Sequence, residues 1–248
     1  MRLRRVLDYA PARAALPLRA ALGHRDAEIA HLRSFVKPGD EVVDVGAHKG
    51  AYTWHLARLV GKAGIVHAFE PQPDLAGRLH RAVPRQVVVH ECALSDREVD
   101  LPLSIPVWGR TRLQGHASLE AGAPGSTDIS ITVPTRRLDQ CGVNPRFCKV
   151  DVEGHEVAVL RGAEETVRRC RPVLLLEIDY RHQRQTEART ALLAWLAEHD
   201  YVAHYVDGTR LLPAGTLSAA TDPNPHLGAA EYVYNWFMLP DSGSAPVA

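Results

Sequence analysis

The run Val42-Val43-Asp44-Val45-Gly46-Ala47-His48-Lys49-Gly50 constrains the fold more than any other stretch of this chain. β-Branched residues lead up to two glycines, the pattern of a buried strand that closes in a tight turn. Tyr52, Leu56, Leu59 and Val60 then recur at helical spacing and give the next element one apolar face. A strand, a glycine turn and a helix make a ligand-binding corner. Turn glycines let a ligand approach the backbone, and a helix start offers free N–H groups.

The same alternation continues along the chain. Lys37-Pro38-Gly39-Asp40 reads as the turn into the first strand, and residues 64–69 as a second strand ending at Glu70-Pro71. Asp74 is expected to cap a helix carrying Leu75 and Leu79, which Pro84 stops. Residues 87–94 read as a third strand. Between about 95 and 136 prolines and glycines become frequent, and Asp128 to Val133 alternates polar and apolar. This segment is expected to be an inserted β-hairpin with a loop. The α/β rhythm resumes with a strand at 147–152, one helix over about 155–170, a strand at 173–178 and a helix over about 187–199. Two closing strands follow near 201–206 and 232–239.

Residues 1–36 read as short amphipathic helices, a lid or brace, with Leu16, Ala20, Ile29, Leu32 and Phe35 as apolar faces. The main domain is expected over 37–240, and the small polar residues 241–248 are expected to be a disordered tail. The 248 residues leave room for one substantial core. Strands alternating with helices imply a doubly wound α/β fold with a mostly parallel sheet, whose ligands lie beyond the carboxyl ends of the strands. Polar residues gather at four such ends: Gly46 to Gly50, Glu70, Asp151 to Glu153, and Glu177.

The turn is not that of a nicotinamide dinucleotide site. That fingerprint is G-x-G-x-x-G, whereas here the spacing is G-x-x-x-G and His48 stands where the second glycine would approach a pyrophosphate. Glu70, at the end of the second strand, suits a bidentate hydrogen bond to ribose hydroxyls. An adenosine-bearing cofactor without pyrophosphate fits both features, and S-adenosylmethionine is the obvious candidate.

Composition narrows the partners. The 29 basic and 29 acidic side chains balance, so no global charge draws the chain to nucleic acid or to an anionic membrane. The four cysteines contain no C-x-x-C pair, which suits small core residues in a reducing, cytoplasmic compartment. No run reaches the roughly 20 apolar residues of a membrane helix.

Taken in order, Val43 to Thr53, Phe69-Glu70-Pro71, Ala93-Leu94-Ser95-Asp96, Arg137-Leu138-Asp139, Lys149 to Glu156, Leu160-Arg161-Gly162-Ala163 and Leu176-Glu177 resemble the motifs of the FkbM-type methyltransferases. These are class I enzymes dependent on S-adenosylmethionine, and their characterised members methylate hydroxyl groups, often on sugars or natural-product scaffolds. The resemblance spans roughly residues 36–180. Its most specific part is Lys149-x-Asp151-x-Glu153-Gly154-x-Glu156. It implies the class I seven-stranded sheet and a cofactor site drawn from Asp44, Gly46, His48, Gly50, Tyr52, Thr53, Glu70, Cys92, Ala93 and Asp151. His48 departs from the asparagine common there.

Methyl transfer to oxygen needs an aligned nucleophile, exclusion of water and a group that takes the hydroxyl proton. Asp151, Glu153 and His155 compete for that last role. Asp151 equally suits a helix N-cap, and His155 a surface histidine at a helix start. Alternatively, Asp151 and Glu177 hold a Mg²⁺ ion that polarises the hydroxyl. His116 is a candidate to cover the site from the insertion. The expected partner is a hydroxyl-bearing small molecule, with no nucleic acid or membrane, and self-association is left open. Methylation of nitrogen or of a macromolecule, and a non-catalytic cofactor-binding scaffold, are the competing readings.

Overall fold

The computed structural model describes residues 27–108, 111–120, 128–178, 185–216 and 235–241. The helices expected before residue 27 and the tail from residue 242 onward lie outside the described residues. Among the described residues the central sheet has eight strands. They are β1 (Glu41–Val45), β2 (Ile65–Phe69), β3 (Val87–His90), β9 (Phe147–Val150), β10 (Val173–Glu177), β11 (Tyr201–Asp207), β12 (Arg210–Pro213) and β13 (Asn235–Pro240), in the order β12-β11-β13-β10-β9-β1-β2-β3. β3, β2, β1, β9 and β10 pair in parallel, and each pairing from β10 to β13, to β11 and to β12 is antiparallel. This is the class I methyltransferase arrangement with one strand more than the seven expected. The extra strand is β12, which Gly208, at φ +58°, folds back against β11.

β1 shows how this sheet is buried on both faces. Val43 and Val45 enter one apolar cluster with Cys148, Leu160, Leu174 and Trp195, while Val42 enters the other with Leu56, Val60, Phe147 and Phe237. Helix α1 (Ala27–Phe35) braces the second cluster: Leu32 is fully buried, and the Phe35 ring lies 5.1 Å from that of Phe237. Helix α2 (Ala51–Val60) buries Leu56, Ala57 and Val60 on the same side. Burial of each such large aliphatic side chain is worth roughly 1.5–3 kcal/mol.

Three local expectations give way to long-range contacts. Residues 87–94 are two strands, because after His90 the chain leaves the main sheet and β4 (Ala93–Leu94) pairs in parallel with β8 (Ile129–Arg136). β8 also pairs antiparallel with β5 (Asp100–Ile105), so the insertion is a three-stranded sheet. A small hairpin of β6 (Val107–Trp108) and β7 (Thr111–Arg112) is appended to it. The helix expected over 155–170 breaks into α4 (Glu156–Arg161) and α5 (Glu164–Cys170). A Cβ on Gly162 would lie 1.9 Å from the Ser95 carbonyl oxygen, so the chain passes there only as glycine. Asp74 does not cap α3 (Pro73–Ala82): Gln72 occupies the cap position with Pro73 next, and Asp74 accepts the Gln114 amide at 2.8 Å. The last helix among the described residues is α6 (Gln185–Glu198).

Candidate functional site

The ends of β1, β2, β4 and β9 surround a cavity. Its floor is the glycine turn. Gly46, at φ +75°, and Ala47 both donate their N–H groups to the Phe69 carbonyl at 3.0 Å, which fixes the turn on the end of β2. A Cβ on Gly46 would lie 1.9 Å from the Asp151 carbonyl oxygen, so this glycine also sets the spacing between the ends of β1 and β9. Gly46→Ala is expected to cost about 2–5 kcal/mol, from left-handed strain plus overpacking, read as a lowered denaturation midpoint. An unchanged midpoint would show that this close approach is not needed.

Glu70 stands just beyond β2, 2% exposed. Its carboxylate accepts the His48 N–H at 2.7 Å and the Gln72 N–H at 2.9 Å, one on each oxygen. Each oxygen retains a lone pair for a ribose hydroxyl, which is the geometry a bidentate contact needs. Burial, the largest influence, pushes its pKa up to about 7, against the two backbone donors that lower it.

A charged cluster lies at the ends of β9 and β10. Lys149, 2% exposed, donates to Asp151 Oδ2 at 2.8 Å and lies 4.7 Å from the centre of the Tyr52 ring. Burial alone would lower the Lys149 pKa, but the carboxylates of Asp151 and Asp44 outweigh it and raise it. Asp44 is fully buried and accepts the Thr53 hydroxyl at 2.6 Å, and desolvation raises its pKa. Glu177 hydrogen-bonds to Asp151, and its pKa is pushed up to about 8, first by burial and then by repulsion from Asp151. At neutral pH the Asp151–Glu177 pair therefore shares one proton.

That arrangement does not fit the Mg²⁺ ion expected on Asp151 and Glu177. The charge beside Asp151 is the Lys149 ammonium, and no group of three or more metal-ligating side chains occurs among the described residues.

The raised Glu177 pKa links the site to stability. Its ordinary value is about 4.5, so its favourable contribution is complete below that pH and is lost as pH rises toward 8. Glu70 and Glu156, each held up to about 7 by burial, act in the same direction. Thermal denaturation between pH 5 and 9 should show wild-type stability falling more steeply with pH than that of Glu177→Gln. Identical slopes would contradict the protonated pair.

His155 faces inward and is 8% exposed, not outward as a surface histidine at a helix start would be. It holds the N-cap position of α4, which Asp151 does not reach. Both its ring nitrogens are engaged, Nε2 with the Ser95 hydroxyl at 2.9 Å and Nδ1 with Glu120 Oε1 at 2.8 Å. The Glu120 carboxylate accepts the Nδ1–H, and Nε2 pairs with the Ser95 hydroxyl, which also reaches Asp96 Oδ1 at 3.2 Å. Glu120 comes from the insertion, whose residues 113–120 run across the cavity as a strap. On one side Gln72 Nε2 donates to the Gln114 carbonyl at 2.9 Å. On the other, the Ser118 hydroxyl donates to the Glu153 carbonyl at 2.7 Å, and His116 lies 3.4 Å from the Glu153 carboxylate. Glu156 closes the turn beneath by accepting the Gly154 N–H at 3.1 Å.

Seven residues singled out from the sequence line this one cavity: Gly46, His48, Glu70, Ala93, Asp151, Glu153 and His155. Asp44, Tyr52 and Thr53 are placed beneath it, around Lys149. Gly50 closes the turn by donating to the Ala47 carbonyl at 2.8 Å, and Cys92 is buried in an apolar cluster. Glu177 reaches the cavity through Asp151. Gly115, Ala117 and Leu119, from the loop around His116 expected to cover the site, also line the cavity, as do Gln72 and Gln114, which the sequence reading did not name. The signal for Gln72 was its place two residues beyond the ribose-binding acid.

The profile of the methyltransferase FkbM domain matches residues 44–203. Among solved structures, a methyltransferase FkbM from Methylobacillus flagellatus superposes with a TM-score of 0.51 at 15% identity, over 94% of this chain and 57% of that one. The chain thus spans little more than half the length of that relative. Weaker likenesses include an S-adenosylmethionine-dependent O-methyltransferase from Thermotoga maritima, with TM-score 0.43, 15% identity and coverage of 87% and 64%. An S-adenosylmethionine-dependent methyltransferase from Aquifex aeolicus gives TM-score 0.45, 17% identity and coverage of 86% and 89%. No curated protein sequence matches the chain. No helix among the described residues is long and apolar enough to cross a membrane.

Proposed function

The chain belongs to the FkbM methyltransferase family, and from that premise we propose that it transfers the methyl group of S-adenosylmethionine to a hydroxyl of a small molecule, a sugar or natural-product scaffold. The observation that carries this reading is the pairing, within one cavity, of a nucleoside end and a proton-accepting end. Glu70 and the Gly46 turn form the first, and Asp151, backed by Lys149 and Glu177, forms the second.

The residues present fit the cofactor. The Glu70 oxygens have lone pairs to spare, the glycine turn leaves backbone open, and the buried side-chain oxygen of Gln72, Oε1, has no hydrogen-bond partner among the described residues. When bound, S-adenosylmethionine supplies an electrophilic methyl group on a sulfonium. The protein must then place an oxygen in line and take its proton. Asp151 Oδ2 is held by the Lys149 ammonium, so Oδ1 is the atom that receives the hydroxyl proton. The Lys149 ammonium fixes the Asp151 carboxylate through Oδ2, and the proton held up on the pair with Glu177 adds a hydrogen bond beside it. His155, engaged at both nitrogens, orients the wall and ties the strap to it. The strap excludes water from the cavity.

Acceptor pairs that differ only in a hydroxyl or an amine at one carbon test the assignment to oxygen. Transfer from methyl-labelled cofactor is expected to the hydroxyl member. Transfer confined to the amine would replace this reading with N-methylation.

A further inference from the structure

The side chain of Gln72 is 3% exposed, lines the cavity and is oriented without ambiguity. Its Nε2 donates to the Gln114 carbonyl at 2.9 Å, an acceptor only, so the amide cannot be turned around and its Oε1 faces away from the strap. That oxygen is buried with no hydrogen-bond partner among the described residues. A buried carbonyl oxygen without a donor is costly unless a ligand supplies one. Resting on the proposed cofactor, whose donors are the amino-acid ammonium, the ribose hydroxyls and the adenine 6-amino group, the choice is narrow. Glu70 takes the ribose hydroxyls, and the ammonium belongs with the Gly46 turn at the Asp151 end. The same cavity is lined by the apolar residues Phe69, Pro71, Leu94 and Leu103, the surface that the flat faces of a base require. We infer that Gln72 Oε1 accepts a hydrogen bond from the adenine 6-amino group and so selects the base of the cofactor.

One amide thereby serves two partners, since its N–H group ties down the strap while its oxygen reads the base. Calorimetric titration with S-adenosylhomocysteine and with S-inosylhomocysteine, in which an oxo group replaces the 6-amino group, tests this directly. Wild type is expected to bind the amino compound about tenfold or more tightly, because the oxo compound sets one acceptor against another. In Gln72→Leu the two affinities should come within about threefold. Gln114→Ala, which loses its side-chain bond to Asp74 but keeps its backbone carbonyl, should retain the wild-type ratio. Gln72→Glu keeps an acceptor oxygen and should still prefer the amino compound, so the inference stays testable if the leucine variant misfolds. Equal binding of both compounds by wild type, or an unchanged ratio in Gln72→Leu, overturns the assignment to Gln72 and leaves the cofactor standing. Failure of wild type to bind either compound overturns both.

Discussion

Asp151→Asn is expected to lower the rate of methyl transfer by about 10²–10⁴-fold, the range for loss of a positioned general base. Affinity for S-adenosylhomocysteine should stay within about threefold. The two readouts separate because Asp151 touches the proton-accepting end of the cavity, while the nucleoside end rests on Glu70 and the Gly46 turn. Asparagine keeps the shape and an oxygen for Lys149, and Lys149 retains the carboxylate of Asp44. A large loss of stability is therefore not expected. Turnover that survives the substitution unchanged would remove Asp151 from the chemistry. Proton acceptance would then fall to Glu153 or His155, the other polar side chains from the same turn that line the cavity.

The second large effect is on binding. Glu70→Ala removes the acceptor of two backbone N–H groups and of both ribose hydroxyls, and affinity for S-adenosylhomocysteine should fall about 100-fold or more. The pH dependence provides a signature that a merely structural residue would not give. With its pKa held up to about 7, Glu70 gains a proton as pH falls through neutrality and loses an acceptor site. Wild-type affinity should thus weaken between pH 8 and 6, and Glu70→Gln should bind weakly with no such slope. Titration calorimetry across that range checks both. Retained affinity in Glu70→Ala would mean that the cofactor lies elsewhere.

Local chemistry made the first half of the site legible. β-Branched residues followed by Gly46 announce a strand and turn whatever the rest of the chain does, and Glu70 falls at the end of the next strand by simple spacing. The parallel sheet follows from the same rhythm, as does the gathering of Asp151 and Glu177 at neighbouring strand ends. What was not legible depends on residues far apart in sequence. His155 reads as a surface histidine until Glu120, 35 residues away, is brought over it. The break at Gly162 is enforced by the Ser95 carbonyl pressing on it, which helical periodicity over 155–170 cannot reveal. Mg²⁺ was a fair reading of two carboxylates, but Lys149, which its place in the strand already suggested as a partner for a carboxylate here, balances Asp151. β12 was missed because four residues with two leucines carry too little pattern to stand apart from a loop.

A crystal structure with S-adenosylhomocysteine tests the account most directly. The prediction is that the ribose hydroxyls meet the Glu70 carboxylate, the base lies between Pro71 and Leu94, and the sulfur faces Asp151 Oδ1 across a gap for one acceptor oxygen. A ribose held away from Glu70, or a sulfur turned from Asp151, would contradict the account.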